Sequence, residues 1–328
     1  MRSPAFWWRD AGLASALLAP LAALYGAVAA RRMRRAGRAA GIPVVCVGNL
    51  TLGGAGKTPT ALAVGEMLQA AGRRPCFLSR GYGGALAGPV MVEPGRHSAR
   101  EVGDEALLLA RLAPTVVARD RVAGAAAARA AGAGIVVLDD GFQNPALNKD
   151  RALVVIDARR GIGNGRVFPA GPLRAPLAAQ LACAHALLVI GTGEAAAAIE
   201  GVARARGLPV FHGRLAPDPA AVAALAGRRV LAFAGIGDPE KFFASLRAAG
   251  IDVVRARSFP DHHRYTGAEA AALVAAAARE ALDLVTTEKD LARLDRDSAA
   301  RALAQRAKAF PVRLAVDESL HRFVLQGR

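Results

Sequence analysis

Lysine is scarce in this 328-residue chain: it occurs only at positions 57, 149, 241, 289 and 308, against a large excess of arginine. A lysine found inside a motif here therefore carries more information than it would in an ordinary basic protein. Cysteine is scarcer still. Cys46, Cys76 and Cys183 are odd in number, widely spaced and free of any CxxC pair, which excludes a disulfide framework and a zinc site and fits a reducing compartment. Aromatic residues make up 5%, so the core has to be built from Ala, Val and Leu, and no basic helix with interleaved aromatics argues for nucleic acid. What the chain has in abundance is aliphatic sequence, 53% hydrophobic, and positive charge, a net +16. That charge calls for an anionic partner such as a phosphorylated substrate or an acidic membrane surface. The length admits two domains and a sizeable core.

The most informative stretch runs from Gly48 to Thr58, after the apolar residues 43–47 and before an Ala/Leu-rich segment. It reads as strand, glycine loop and helix. Backbone N–H groups of Thr51, Gly53, Gly54, Ala55 and Gly56 are placed to cradle a phosphate chain. The helix N-terminus adds its positive dipole end, Lys57 reaches the terminal phosphates and Thr58 can hold Mg2+. The expected ligand is ATP. Thr51 stands where the usual pattern has glycine, so the loop is a variant.

The remainder alternates helices and strands. Helices are expected at 58–71, 106–112 and 122–131, and strands at 75–78, 116–117, 135–138, 153–156 and 186–190. A glycine-rich connection covers 79–98, and loops of that length are usually functional. This pattern predicts a parallel sheet covered on both faces, with ligands at the carboxyl ends of its strands. A Pro-containing break at 209–229 precedes a fresh α/β series with strands at 230–234, 252–255 and 284–286. The expected organisation is therefore an N-terminal membrane-anchor helix at 1–36, a P-loop nucleotide-binding domain at 37–225 and a smaller α/β domain at 226–328.

Residues 11–30 carry no charge, with Trp7 and Trp8 before them and Arg31, Arg32, Arg34, Arg35 and Arg38 after. A single helix of that length would reach about 30 Å. Pro20 interrupts it, however, and Leu13, Leu17, Leu21, Leu24 and Val28 form one apolar stripe. The stripe favours a helix lying in a membrane interface, with both tryptophans at headgroup level and the arginines on anionic lipid. A single span, a signal peptide and a buried soluble helix are the competing readings. The arginine cluster opposes export.

Asp139 and Asp140 end an apolar strand, where nucleotide-binding folds place the carboxylate that orders Mg2+, and Gln143 stays on the same rim. Asp104 and Glu105 suit a helix start, but Asp104 together with His262 could also take the proton of an attacking hydroxyl. Arg121 and Arg174 could clamp phosphate. Lys289 is notable for its rarity and could equally pair with a neighbouring acid.

Together these segments resemble the tetraacyldisaccharide 4'-kinase family. The resemblance rests on Val47 to Pro59, Ser79-Arg80-Gly81-Tyr82-Gly83, Val102-Gly103-Asp104-Glu105, Asp139-Asp140-Gly141-Phe142-Gln143, Phe168 to Arg174, Phe259-Pro260-Asp261-His262 and Thr287-Glu288-Lys289-Asp290, in that order. It implies an enzyme at the cytoplasmic face of a bacterial inner membrane. That enzyme would move the γ-phosphate of ATP to the 4'-hydroxyl of a tetraacylated glucosamine disaccharide 1-phosphate, in lipid A biosynthesis. Lys57 would act on the phosphates, Thr58, Glu105 and Asp139 on Mg2+, and Asp139 with Asp140 as an acidic pair. Asp104 would serve as base with His262, and Arg121, Gln143 and Arg174 would meet substrate. The acylated lipid and an anionic membrane surface are the implied partners, with no nucleic acid and no obligatory protein partner. Asn144 and Ala175 depart from the residues common in the family, which are His and an acid. The alternative is a partitioning-type or switch ATPase, whose loop usually has a second lysine where this chain has Leu52.

Overall fold

The computed structural model describes residues 4–294 and 300–326. Its strands are β1 (Val44–Asn49), β2 (Pro75–Ser79), β3 (Val90–Met91), β4 (Thr115–Val117), β5 (Ile135–Asp139), β6 (Arg151–Asp157), β7 (Ala186–Ile190), β8 (Val210–Pro217), β9 (Arg229–Ala234), β10 (Asp252–Ser258), β11 (Asp283–Thr286), β12 (Ala307–Ala309) and β13 (Val312–Val316). They form a nine-stranded sheet in the order β13-β8-β7-β6-β1-β5-β2-β4-β3 and a four-stranded sheet in the order β10-β9-β11-β12. In the larger sheet the seven inner strands are parallel, and β13 and β3 close the two edges antiparallel. The smaller sheet is parallel throughout.

Strands β1, β2, β5 and β7 are buried on both faces, which is why they read as continuous apolar runs without alternation. Val44, Cys46, Leu78, Val136, Val154 and Leu187 build the core on one face. Val45, Val47, Phe77, Val137, Leu153 and Leu188 build it on the other. The helices that matter here are α1 (Ala19–Met33), α2 (Lys57–Ala70), α3 (Asp104–Ala110), α4 (Arg121–Ala130), α5 (Leu177–Leu181), α6 (Glu288–Arg293) and α7 (Glu318–Leu325).

Two features depart from the sequence reading. The segment at 209–229, read as a break, contains β8, a strand of the larger sheet. The chain end, expected with the smaller domain to 328, leaves it after β12: β13 pairs with β8, and α7 buries Leu320 and Val324 in the core beside Val64 and Leu188. The apolar sides of both elements find their partner on the larger sheet, so the smaller sheet occupies 229–309. Residues 1–3, 295–299 and 327–328 of the expected segments lie outside the described residues.

The charge-free front segment is also not one helix. It divides into Leu13–Leu17 and α1, with Leu18 between them and Pro20 in the first turn of α1, where its missing N–H costs nothing. No helix among the described residues is long and apolar enough to cross a membrane. One face of this segment is pinned to the protein. Ser15 donates to the Ala170 carbonyl (2.7 Å), the Trp7 indole donates to the Pro169 carbonyl (3.0 Å), and α1 packs at Gly26 against Pro176. Trp7 is buried against Phe168, and Trp8 lies under Arg160, so the expectation of both rings at headgroup level does not hold for Trp7. The other face carries Leu13, Leu17, Leu21, Leu24 and Val28, each 59–86% exposed.

Candidate active site

Both sheets point the carboxyl ends of their strands into one cleft. From the larger sheet, β1 runs into the glycine loop and β5 ends at Asp139. Gly56 adopts φ 89 at the start of α2, a left-handed conformation suited to glycine, and a Cβ there would press on Ile190 at 2.9 Å. Asn49, buried at the end of β1, holds the loop from within: its Nδ2 donates to the carbonyls of Thr51 (2.8 Å) and Gly53 (3.1 Å), and its Oδ1 accepts from Lys57 Nζ (3.2 Å). From outside, Leu52 N donates to the Pro172 carbonyl and Arg174 Nε to the Thr51 carbonyl (3.0 Å). Thr51 is thus pinned by its backbone on two sides, while Gly53 and Gly54 face open space and Ala55 is buried.

Asp140 takes both arms of Arg174 (2.9 and 3.3 Å) and lies 3.6 Å from Lys57 Nζ. Burial pushes its carboxyl up, but Lys57 and Arg174 outweigh burial and hold it below the usual range. Lys57 itself is lowered by burial, against the pull of Asp140. Asp139 behaves oppositely. It is 2% exposed, its Oδ1 has no partner, and burial with the neighbouring Glu105 and Asp140 carboxylates raises it to about 7. Gln143 donates to the Asn49 carbonyl (2.7 Å) and to the buried Gln180 (2.9 Å), so it braces the loop from the rim.

The second side of the cleft begins at α3. Gly103 has φ 86, and a Cβ there would meet the Tyr82 carbonyl at 2.6 Å, so glycine lets the chain start this helix directly under the 79–84 turn. Glu105 Oε1 lies 3.5 Å from Thr58 Oγ1 and accepts from Lys289 Nζ at 2.7 Å. Asp104 is 4% exposed; Arg293 Nε donates to its Oδ2 at 2.7 Å, and Arg293 Nη2 lies at the same distance. His262 Nδ1 stands 3.6 Å from that oxygen, an ion-pair contact rather than a hydrogen bond. Burial works to raise Asp104, but His262, Arg293 and Lys289 hold it far below the usual carboxylate range. Asp104 in turn raises His262 above 6.5. Arg293 also donates to Asp290 (2.8 Å) and to the Gly235 carbonyl (2.7 Å), and Asp290 accepts from Tyr265 (2.9 Å).

The structure therefore gathers Lys57, Thr58, Glu105, Asp104, His262, Asp139, Asp140, Gln143 and Arg174 around one cleft. Arg121 is the exception: it is 3% exposed, donates to the Ala118 carbonyl (3.2 Å) and is lowered by burial. It is not brought to the cleft surface as a phosphate clamp. Of the family departures, Ala175 is fully buried, and Asn144 accepts from the Ala146 N–H in a turn. Sequence reading passed over Asn49, Gln180 and Arg293. Polar Asn49 at the carboxyl end of an apolar strand was the available signal; for Arg293 it was the one-turn spacing from Lys289.

Asp139 presents a buried carboxylate oxygen without a partner, with the Glu105 and Asp140 carboxylates acting on it. Among the described residues no group of three or more His, Cys, Asp and Glu stands ready to hold a metal. An orphaned carboxylate, with the Thr58 hydroxyl reaching Glu105, is compatible with Mg2+, which takes one or two carboxylates and completes its shell with water and substrate phosphates.

Comparison with known proteins gives a consistent picture. The family model described as tetraacyldisaccharide-1-P 4'-kinase matches residues 14–327. The chain is 56% identical to the tetraacyldisaccharide 4'-kinase of Nitrobacter winogradskyi, covering 100% of this chain and 98% of that protein. It is 62% identical to that of a Methylobacterium species, covering 96% and 93%. Its fold resembles the crystal structure of LpxK from Aquifex aeolicus in complex with ATP, with TM-score 0.71 and 26% identity over 94% of this chain and 98% of that one.

Proposed function

We propose residue roles and a setting for a chain that belongs to the tetraacyldisaccharide-1-P 4'-kinase family. It is an ATP-dependent tetraacyldisaccharide 4'-kinase, transferring the γ-phosphate to the 4'-hydroxyl of a tetraacylated glucosamine disaccharide 1-phosphate in lipid A biosynthesis. One observation carries the role assignment: the adjacent acids Asp104 and Glu105 reach the two halves of the chemistry. Glu105 touches Thr58 of the phosphate loop, and Asp104 touches His262.

In this reading the loop 51–56 and Lys57 cradle the polyphosphate, and Arg174 and Asp140 fix the position of Lys57. Thr58, Glu105 and Asp139 hold Mg2+, which when bound neutralises charge on the phosphates. The 4'-hydroxyl enters beside Tyr82 and His262, in a cavity of about 290 Å³ that also reaches Asp104 and Arg293. The Asp104/His262 pair takes the hydroxyl proton as the oxygen attacks phosphorus. Gln143 supports the loop, and Arg121 supplies positive charge beneath Asp139 and Asp140.

The setting follows from the front segment. Its exposed leucine stripe, with Arg31, Arg32, Arg34 and Arg35 exposed at the end of α1, suits an interfacial helix on anionic lipid at the cytoplasmic face of the inner membrane. Tyr25 of α1 packs on Phe168 (5.4 Å), which leads to Arg174, so a lipid at this face would lie beside the cleft.

The test is transfer of labelled phosphate from Mg-ATP to the lipid disaccharide in detergent. Lys57→Ala is expected to lose at least about a hundredfold in rate with an unchanged circular-dichroism spectrum. Full-rate ATP hydrolysis without lipid, and no labelled lipid when it is added, would favour the switch ATPase instead.

A further inference from the structure

Of the five lysines, Lys289 has no part in the roles assigned above, yet it occupies a central place. It projects from α6 of the smaller sheet across the cleft to Glu105 Oε1 at 2.7 Å. The same oxygen lies 3.5 Å from Thr58 Oγ1. One atom of the proposed metal set is thus shared between the loop hydroxyl and an ammonium group from the opposite side. Asp104 and Asp139 also act electrostatically on Lys289. Its ammonium stands among three carboxylates, where the reaction would bring a divalent cation.

A plain tether between the sheets does not need this arrangement. Arg293, one turn further along α6, already ties that helix to Asp104, and its side chain is 6% exposed, against 30% for Lys289. Arg293 is locked by acceptors on both sides of the cleft. Lys289 donates to Glu105, and its flexible stem leaves it free to exchange that partner for another anion.

We propose that Lys289 is a built-in cation that holds Glu105 in the nucleotide-free enzyme and is displaced from it when metal and nucleotide bind. The inference rests on the reading of Thr58, Glu105 and Asp139 as the metal set. A divalent ion at Glu105 and an ammonium on the same oxygen repel strongly in a half-buried site. The ammonium moves away, with the polyphosphate in the same cleft as its new partner. Loading then releases one of the two ties between α6 and α3, while Arg293 keeps the other. Before loading, Lys289 shares with Lys57 the neutralisation of Glu105 and Asp139.

Mn2+ binding to the full-length, nucleotide-free protein, followed by the loss of the free-ion electron paramagnetic resonance signal, tests this directly. Lys289→Met is expected to bind Mn2+ at least about tenfold more tightly than the wild type, because the competing cation is gone. Lys289→Arg, which keeps the charge, is expected to stay within about twofold of the wild type. Asp139→Asn, added to Lys289→Met, is expected to abolish the gain. Should Lys289→Met not fold, Lys289→Gln carries the same expectation. Unchanged or weaker Mn2+ binding in the charge-free variant, with Asp139→Asn still removing the site, overturns the placeholder role and leaves the metal assignment standing. Mn2+ binding indifferent to Asp139→Asn overturns both.

Discussion

Replacing Arg293 by methionine probes the proton-accepting pair without touching it. The guanidinium is 6% exposed, and its partners Asp104 and Asp290 are 4% and 0% exposed. Removing one member of such a buried pair costs about 3–5 kcal/mol, because the carboxylates left behind lose their counter-charge. Protonation of Asp104 relieves part of that cost. If about 3 kcal/mol falls on Asp104, its carboxyl rises by about two pKa units. His262 moves the same way, since Arg293 now pushes its basicity down. The acid limb of kcat/KM reports the free enzyme's pair, and in the wild type its midpoint is expected above 6.5 because Asp104 raises His262. In Arg293→Met that limb is expected to move higher, because the opposing charge on His262 is gone, with kcat falling and the KM for ATP little changed. Arg293→Lys should recover only part, since one ammonium cannot span Asp104, Asp290 and the Gly235 carbonyl as the planar fork does. The assay is phosphoryl transfer from pH 5 to 9, with circular dichroism on each variant. A folded Arg293→Met whose pH profile superimposes on the wild type refutes the argument and reduces the guanidinium to a tether between the sheets.

Asp139→Asn should abolish transfer yet stabilise the ligand-free protein. With its carboxyl at about 7 instead of the ordinary 3.8, folded Asp139 keeps a proton that the unfolded chain has lost. Wild-type stability therefore falls as pH rises through that window, by up to about 1.4 kcal/mol per unit, and the asparagine variant lacks this slope. A calorimetric melting gap that does not widen between pH 5 and 7 would contradict the assignment. Asn49→Ala removes two donors to loop carbonyls and is expected to raise the KM for ATP by about tenfold or more; unchanged nucleotide affinity would show that the Pro172 and Arg174 contacts hold the loop unaided. Leu17→Glu with Leu24→Glu should weaken sedimentation with anionic vesicles, each exposed leucine being worth about 1.5–3 kcal/mol when buried in lipid. Equal sedimentation would place membrane contact on another surface. These point changes are cleaner than truncation at residue 36, which would strip Ser15 and Trp7 from the Ala170 and Pro169 carbonyls.

Residues were legible where local chain geometry alone determines their place. Lys57 and Thr58 follow a strand and a glycine loop, and Asp139 ends a buried strand; each position is fixed by its immediate neighbours whatever the rest of the chain does. Asp104 and His262 were legible only as residue types, because 158 positions separate them and two different sheets bring them to 3.6 Å. Edge strands were harder. β8 and β13 are half-buried and mix arginine with aliphatic residues, so neither a continuous apolar run nor clean alternation marks them. Their pairing, which returns the chain end to the larger sheet, depends on a partner nearly a hundred residues away.

Arg293 was hidden for a different reason. In an arginine-rich chain one more arginine carries little information, whereas a rare lysine draws notice. Spacing nevertheless holds the clue. Lys289 and Arg293 are four apart on α6 and so share a helix face, while Asp104 and Glu105 are adjacent at the start of α3. The two cations divide those acids between them: Lys289 Nζ meets Glu105 Oε1 at 2.7 Å and Arg293 Nε meets Asp104 Oδ2 at 2.7 Å. Because consecutive residues on a helix diverge by about 100°, the acids in turn serve two tasks: Glu105 turns to the phosphate loop and Asp104 to His262.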